Sequence, residues 1–430
     1  MGDADALEGA ESSWVAARGT GGGRDGPGRP AVAVIGAGFS GSLAALHLLN
    51  QGPHDLTILL IERGGGFGRG LAYGACEREH LLNVRAGNMS AFPDQPRHAV
   101  EWLSAHEGPV GASGFATREA YGRYLAALLL GEVRRPRGAG RLILVHDQAV
   151  SVRPERDGLL VEMAMGNRHA VTAAVLATGH MPPGPPAGDG WDGLPPGLYI
   201  GDPWAPEALA GLEATAPVLL LGTGLTMVDV TLSLQALDHR GAVTAISRRG
   251  LLPRTHDLAA PVQPEEVWPP STKLSSMVRW VRARAAERGW RSAVDDLRPT
   301  SQSLWRAADL GTRRRFLRHL RPWWDVHRHR MAPQIAGKLA ALRSVGRLVT
   351  VAGEIRRVDP DAGEAVVRWR PRGGHANSLT RVRRIINCTG PGAGPAQAAS
   401  PLIRDLLDRG GARIDPLGLG LDVDEACRIL

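Results

Sequence analysis

The sequence is poor in two reactive residue types, with three cysteines and two lysines among 430 residues. Cys76, Cys388 and Cys427 stand far apart and form no CxxC pair, which argues against a disulfide framework and dithiol redox chemistry and for a cytoplasmic protein. Because only Lys273 and Lys338 are lysine, 49 of the 51 basic residues are arginine. The arginines are dispersed and accompany no nucleic-acid-binding motif, so codon usage in a GC-rich genome explains them better than nucleic-acid binding.

Long apolar runs are also absent. No run approaches the roughly 18 residues of a transmembrane helix, so no membrane segment is predicted. Residues 1–30 are rich in Gly and Ala and lack the basic start and apolar core of a secretory signal, so we expect a disordered tail. The rest of the chain is long enough for two or three domains with their own cores.

A glycine-rich turn follows the first apolar segment. Ala31–Ile35 and Leu56–Ile61 are predicted to be buried parallel strands, with a helix between them that reaches about Asn50. The turn GAGFSG at residues 36–41 joins the first strand to this helix. The pattern is one βαβ unit of the kind that binds dinucleotides.

The residues of this turn suit a dinucleotide phosphate. Gly36 allows a tight turn, Gly38 lets the backbone approach a pyrophosphate, and Gly41 lets the helix pack closely on the strand. Phe39 and Ser40 open the helix, where free N–H groups and the helix dipole favour negative charge. We therefore assign these five residues to a cofactor site.

The segment after the second strand favours FAD as the ligand. Glu62 lies 21 residues after Gly41, and an acid there accepts hydrogen bonds from ribose hydroxyls and repels a 2′-phosphate. The loop GGGFGRG at residues 64–70 leaves the carboxyl end of the strand, where such sheets bind nucleotides. We predict FAD at this site, and a plain surface loop is the alternative. The prediction also assigns to the site Arg63, Arg69 and Gly70.

The same pattern returns near the middle of the chain. Pro217–Leu221 is predicted to be a strand, the turn GTGLTM follows at 222–227, a helix extends to about Leu237, and Ala242–Ile246 is the next strand. Met227 replaces the third glycine, so the helix and the strand are not expected to pack as closely here as in the first unit. The cofactor residues assigned to this turn are Gly222, Gly224, Leu225 and Thr226.

The second strand of this repeat ends at Ser247-Arg248-Arg249 and carries no acid. Arg248 and Arg249 can pair with a 2′-phosphate, which favours NADPH over NADH. The alternative is that both arginines are solvated surface charges.

Two further strands end in Thr-Gly turns. Ala173–Leu176 leads into Ala177-Thr178-Gly179, and we assign Thr178 and Gly179 to the first cofactor site. Arg384–Asn387 leads into Cys388-Thr389-Gly390. We predict an α/β fold with two Rossmann-like dinucleotide-binding domains, the NAD(P)-binding domain being inserted into the FAD-binding domain. The expected bounds are 31–198 and 346–430 for the FAD-binding domain and 199–345 for the NAD(P)H-binding domain.

Eight segments spread over residues 31–424 carry a more specific resemblance. They are Gly36–Ala45, Phe67–Gly74, His80–Asp94, Arg118–Leu125, Val175–His180, Gly222–Asp229, Trp324–Pro333 and Ile386–Pro391. Together they resemble the flavoproteins that bind two dinucleotides, and more narrowly the family that includes FAD-dependent urate hydroxylase and aspartate N-monooxygenase.

The resemblance implies a monooxygenase that takes O₂ and a small nitrogenous substrate of the amino-acid or purine type. NADPH would reduce FAD, and oxygen would be transferred through a flavin C4a-hydroperoxide. In more distant flavin monooxygenases an Asn before a Met-Ser pair lies beside the flavin, and Asn83, followed by Met89-Ser90, is similar. Asn83 is therefore the candidate catalytic residue and a cofactor contact, and Arg118 resembles a position that lines the flavin site.

Relatives of this kind usually continue past the segment like Leu417–Arg428 into a strand and a Gly/Trp-containing motif that closes over the flavin. This sequence stops at Leu430, so a short flavin site is expected. Two alternatives stay open. One is an NADPH-dependent flavoprotein reductase or oxidase without oxygen insertion, and the other is a nucleotide-binding protein with little activity.

A group of histidines further along the chain favours a structural role over metal binding. His327 and His329, with His319 nearby, form no spacing that matches a known zinc pattern, so no metal is predicted. A domain contact is the favoured role for Trp323–Pro333. His256 is a candidate for the nicotinamide side, with an ordinary loop histidine as the alternative.

Overall fold

The computed structural model describes residues 30–64, 66–74, 79–135, 141–184, 186–257, 265–269, 271–392 and 400–430. The predicted tail, apart from Pro30, and Cys76 lie outside the described residues.

The first unit is built on a parallel four-stranded sheet. Its strands lie in the order β3-β2-β1-β7 and are flanked by helices that cover the apolar residues of the sheet. A separate antiparallel sheet, β4-β5-β6, stands between β3 and β7 in the chain. The bounds are β1 Ala31–Ile35, α1 Phe39–Gln51, β2 Thr57–Glu62, α2 Gly70–Gly74, α3 His98–His106, α4 Arg118–Arg134, β3 Leu142–His146, β4 Ala149–Glu155, β5 Gly158–Met163, β6 Arg168–Val171 and β7 Ala173–Leu176.

The second unit has a seven-stranded mixed sheet in the order β13-β12-β11-β10-β9-β14-β8. Strand β9 is fully buried and reads VLLL, which fits a parallel strand covered on both faces. The bounds are β8 Tyr199–Ile200, β9 Val218–Leu221, α5 Leu225–Ala236, β10 Val243–Ser247, β11 Leu348–Asp361, β12 Glu364–Pro371, β13 Ser378–Val382 and β14 Arg384–Asn387.

A run of helices connects β10 to β11. Most of these helices are short, and the last of them packs on the sheet of the second unit through buried Ile335, Leu339 and Leu342. The bounds are α6 Leu274–Arg288, α7 Trp290–Asp295, α8 Ser301–Ala307, α9 Leu310–Arg315, a π-helical turn Phe316–Leu320, α10 Arg321–Arg328 and α11 Pro333–Ser344.

The two sheets, each with parallel strands beside its glycine turn, confirm the predicted fold class. The expected domain boundary at residue 346 differs from the structure, because β11 to β14 all belong to the second sheet. Strand β14 pairs in parallel with β9, so its Thr-Gly turn belongs to the second unit. The chain returns to the first unit only afterwards, where α12 (Pro401–Asp408) places Leu402 and Leu406 in the same core as Ala33.

Candidate functional site

The first glycine turn is closed from two sides. The Gly36 N–H donates to the Ile61 carbonyl at 2.8 Å, which ties the end of β1 to the end of β2. Gly36 has φ +103°, and a Cβ there would overlap the carbonyl oxygen of Ala177. A Cβ on Gly41 would in turn overlap the Gly36 carbonyl. Both positions therefore need glycine for the fold itself.

Gly38 stands in a different environment. Its φ is −72°, and a Cβ there would first meet the Cα of Gly70 at the ordinary distance of 3.5 Å. Helix α1 starts directly after it with exposed Phe39 and Ser40, no side-chain cap and no acid in its first turn. An uncapped helix start is the arrangement in which backbone N–H groups can donate hydrogen bonds to an anion.

Glu62 is held at the end of β2 by two backbone hydrogen bonds. One carboxylate oxygen accepts from Ala37 and the other from Gly64, each at 2.9 Å. A carboxylate has about four acceptor positions, so acceptor capacity is left for ribose hydroxyls. Arg63, beside it, is exposed.

The loop after β2 folds back over the first glycine turn. The Gly68 N–H donates to the Ala37 carbonyl at 2.9 Å, and Gly70, with φ +54°, lies against Gly38. Helix α4 supports the loop from behind, since a Cβ on Gly68 would meet Ala126 at 2.9 Å. The stem of Arg69 also lies along α4.

The second glycine turn repeats the geometry of the first. The Gly222 N–H donates to the Ile246 carbonyl at 2.7 Å, Gly222 has φ +102°, and a Cβ there would lie 2.5 Å from the Cys388 carbonyl oxygen. Helix α5 begins at Leu225 and Thr226 after an extended Gly224, again without a side-chain cap or an acid in its first turn.

The two Thr-Gly turns therefore occupy equivalent places. Thr178 and Gly179 follow the carbonyl that closes the first glycine turn, and Thr389 follows the one that closes the second. The Thr389 hydroxyl donates to the amide oxygen of buried Asn387 at 2.6 Å. Sequence reasoning missed Thr389 as a residue of the second site, although the shared strand–x–Thr–Gly pattern was visible.

The segment at the end of β10 contains a hydrogen-bonded hydroxyl and two arginines. The Thr223 and Ser247 hydroxyls are 2.8 Å apart, and Ser247 also accepts the Gly250 N–H at 2.9 Å. Arg248 is exposed. The guanidinium of Arg249 lies 5.8 Å from the centroid of the Trp323 ring on α10, a cation–π distance.

Asn83 and His256 meet where the two units face each other. The His256 ring nitrogen Nε2 lies 2.9 Å from the Asn83 carbonyl oxygen, and the His256 ring packs 5.1 Å from that of Phe115. Burial lowers the pKa of His256, so its ring is neutral at neutral pH. His256 thus contacts the backbone of the candidate catalytic residue, and its place on the nicotinamide side stays a prediction.

Arg118, which resembles a position that lines the flavin site, forms an ion pair with the second unit. Its guanidinium pairs with Asp229 of α5 at 2.7 Å, and both side chains are largely buried. Sequence reasoning did not single out Asp229, although an acid in the otherwise uncharged helix LTMVDVTLSLQA was a signal for a buried partner.

His327, the histidine of α10, has structural contacts. His327 Nδ1 lies 2.7 Å from the Trp323 carbonyl oxygen, and the His327 ring packs against Trp290. In the described part of the chain, no cluster of three or more His, Cys, Asp or Glu side chains suits a metal ion. The described helices include none that is both long and apolar enough to span a membrane.

Comparison with known protein sequences gives a match that lies in the first unit. The sequence profile of a family described as FAD-NAD(P)-binding matches residues 33–181, which contain the first glycine turn. No curated protein sequence matches the chain.

Several solved structures share the fold over nearly the whole chain. L-lysine 6-monooxygenase from Pseudomonas syringae is 18% identical with a TM-score of 0.61, covering 94% of this chain and 89% of its own. Ornithine N-hydroxylase from Kutzneria sp. 744, a structure with reduced FAD, NADP⁺ and L-ornithine, is 14% identical with a TM-score of 0.59, at 94% and 89% coverage. The FAD-bound cadaverine monooxygenase of Erwinia amylovora is 14% identical with a TM-score of 0.60, at 93% and 85% coverage. At such identities the likeness establishes the fold.

Proposed function

We propose that the chain binds FAD at the first glycine turn and NADPH at the second, and that it hydroxylates a small nitrogenous molecule. The observation that carries the proposal is the repeated geometry of the two turns, each with a positive-φ glycine against a strand-end carbonyl and an uncapped helix start. When bound, FAD would supply hydride acceptance from NADPH and activation of molecular oxygen.

At the first site, the chain's own residues would bind and select the adenosine half of FAD. The N–H groups at the start of α1 would hold the pyrophosphate, and the remaining lone pairs of Glu62 would accept the ribose hydroxyls. The same carboxylate would repel a 2′-phosphate, which excludes NADP from this turn.

At the second site, selection would run in the opposite direction. Arg248 and Arg249 follow β10 at the place where an acid would select NADH. The side chain of Arg248 is exposed, so a phosphate could reach it. Arg249 is oriented by Trp323. Both features favour NADPH.

The substrate class rests on less direct support. The similar structures act on ornithine, lysine and cadaverine, which are all amines. A small nitrogenous substrate is therefore proposed here, and the narrower resemblance to urate hydroxylase and aspartate N-monooxygenase stays a prediction. Asn83 would lie at the oxygen-transfer end, with its backbone fixed by His256.

The test is a coupling experiment on the FAD-loaded protein. NADPH consumption is measured under isotopically labelled O₂ with a panel of amino acids, diamines and purines, and products are analysed by mass spectrometry. One substrate should accelerate NADPH consumption and gain one labelled oxygen atom. NADPH consumption without labelled product for any panel member would favour the reductase or oxidase alternative.

A further inference from the structure

Helix α4 of the first unit contacts both glycine-turn helices. Along its length it packs against α1 and supports the loop that covers the first glycine turn, where Gly68 and Gly122 allow close contact. At its amino end, Arg118 reaches across to Asp229 in the second turn of α5. One helix therefore connects the elements that begin at the two nucleotide sites.

The amino end of α4 is fixed by more than one polar contact. The His80 ring nitrogen Nε2 lies 3.0 Å from the Asp229 carbonyl oxygen and 3.1 Å from the Ser233 hydroxyl of the same helix. The Arg118 N–H donates to the His80 carbonyl at 2.8 Å. Every residue of this group is buried or nearly so.

The two units also meet through apolar side chains. Leu81 and Phe115 of the first unit pack on the core of the second unit, next to β9 and α5. Apolar contact brings the units together but is non-directional, so it permits small sliding or rotation. Among the described residues, Arg118 is the ion-pair partner of Asp229, and a buried carboxylate that loses its cationic partner carries a large penalty. The ion pair would therefore favour one relative position of the two units.

We propose that Arg118 and Asp229 are positioning residues, which hold the second glycine turn at a fixed distance and angle from the first. This inference rests on the proposed function, since the distance would set the approach of NADPH to FAD. Hydride transfer depends steeply on the separation and alignment of the reacting atoms. Arg118 then acts through Asp229 rather than as a flavin contact.

The variants must separate positioning from stability. Asp229→Asn keeps the shape but leaves Arg118 without its counter-charge. The double variant Arg118→Met/Asp229→Leu removes both charges and replaces them with apolar groups of similar size, a change that often preserves folding. Asp422→Asn breaks the exposed Arg413–Asp422 pair and serves as the matched control.

The first readout needs no cofactor. Spin labels are attached to exposed Cys427 in the first unit and to Leu379→Cys, at an exposed position of β13, in the second, with Cys76 replaced by Ser. The parent and the control should give one narrow distance distribution, and the double variant a broader or shifted one. Unchanged distributions in a folded double variant would overturn the proposal.

The second readout uses FAD-loaded protein in anaerobic stopped flow. In the double variant, flavin reduction at saturating NADPH should slow at least tenfold, while FAD stoichiometry, NADP⁺ affinity and reduction by dithionite stay within about threefold. Reduction as fast as in the parent would overturn the proposal. If the parent itself binds no FAD or is not reduced by NADPH, the proposed function fails, whereas the label distances still test the positioning role.

Discussion

Gly38 offers the sharpest test of where the first dinucleotide binds, because the protein fold leaves room for a methyl group at this position. Its φ of −72° suits any residue, and the nearest atom to an added Cβ would be the Gly70 Cα at 3.5 Å. Gly36 differs on both counts, with φ +103° and overlap with the Ala177 carbonyl. Gly38→Ala should therefore perturb a ligand, and Gly36→Ala should perturb the protein.

The expected magnitudes separate the two variants. For Gly38→Ala, the poorer N-cap residue offsets the gain of about 0.4–1 kcal/mol from a stiffer unfolded chain, so the free energy of unfolding should change by less than about 1 kcal/mol. For Gly36→Ala, backbone strain and overlap each cost roughly 1–3 kcal/mol, so about 2–6 kcal/mol should be lost. A methyl group against the pyrophosphate should weaken FAD binding about 5- to 140-fold, by the same overlap range of about 1–3 kcal/mol.

The assay is flavin fluorescence quenching on titration of each variant with FAD, alongside denaturant unfolding without ligand. Gly224→Ala is the control, because its φ is −84° and an added Cβ meets no atom of the described chain within 4 Å. It should leave FAD affinity unchanged and weaken NADPH. If Gly38→Ala binds FAD like the parent, or if Gly224→Ala weakens FAD equally, the site assignment is refuted.

Three further predictions concern the second site and two buried groups. Arg248→Ala or Arg249→Ala should weaken NADPH by roughly 1.5–3 kcal/mol in a binding titration and leave NADH almost unchanged, and equal losses for both cofactors would contradict the 2′-phosphate role. Burial lowers the pKa of His80 to about 4, below its unfolded value of 6.5, so the folded state binds fewer protons and its stability should fall as pH drops from about 6.5 to 4. Denaturant unfolding of the parent and of His80→Gln at pH 6.5 and at pH 4 measures this effect. The loss of unfolding free energy between the two pH values should be smaller in the variant by on the order of 2–3 kcal/mol, and an equal loss in both proteins would contradict the prediction. Burial raises the pKa of the Cys388 thiol, so alkylation at neutral pH followed by peptide mass spectrometry should modify exposed Cys427 and spare Cys388 until the chain unfolds.

Local signals in the sequence were enough to predict both glycine-turn units. The first strand was expected at Ala31–Ile35 and lies there, and the strand expected at Leu56–Ile61 lies one residue further on. Apolar runs of four to six residues and glycine turns act over short distances, so their structure depends little on the rest of the chain. Strand Ala173–Leu176 was also predicted in the correct unit, where it pairs with β1.

The sequence did not predict contacts between residues that lie far apart in the chain. Strand Arg384–Asn387 was predicted correctly as a strand but assigned to the wrong sheet, because its periodicity does not specify whether β1 or β9 is its neighbour. Arg118 and Asp229 are 111 positions apart, and only the packing of the two units brings them together. The assignment of Asn83 and of the arginines after β10 to cofactors stays a prediction.

An anaerobic titration of FAD-loaded protein with NADPH tests the central claim most directly. The account predicts that the chain binds added FAD, that NADPH bleaches the flavin absorbance with one equivalent per site, and that NADH does so only at much higher concentration. A protein that binds no added FAD would contradict the account. So would bound flavin that dithionite bleaches but NADPH leaves oxidised.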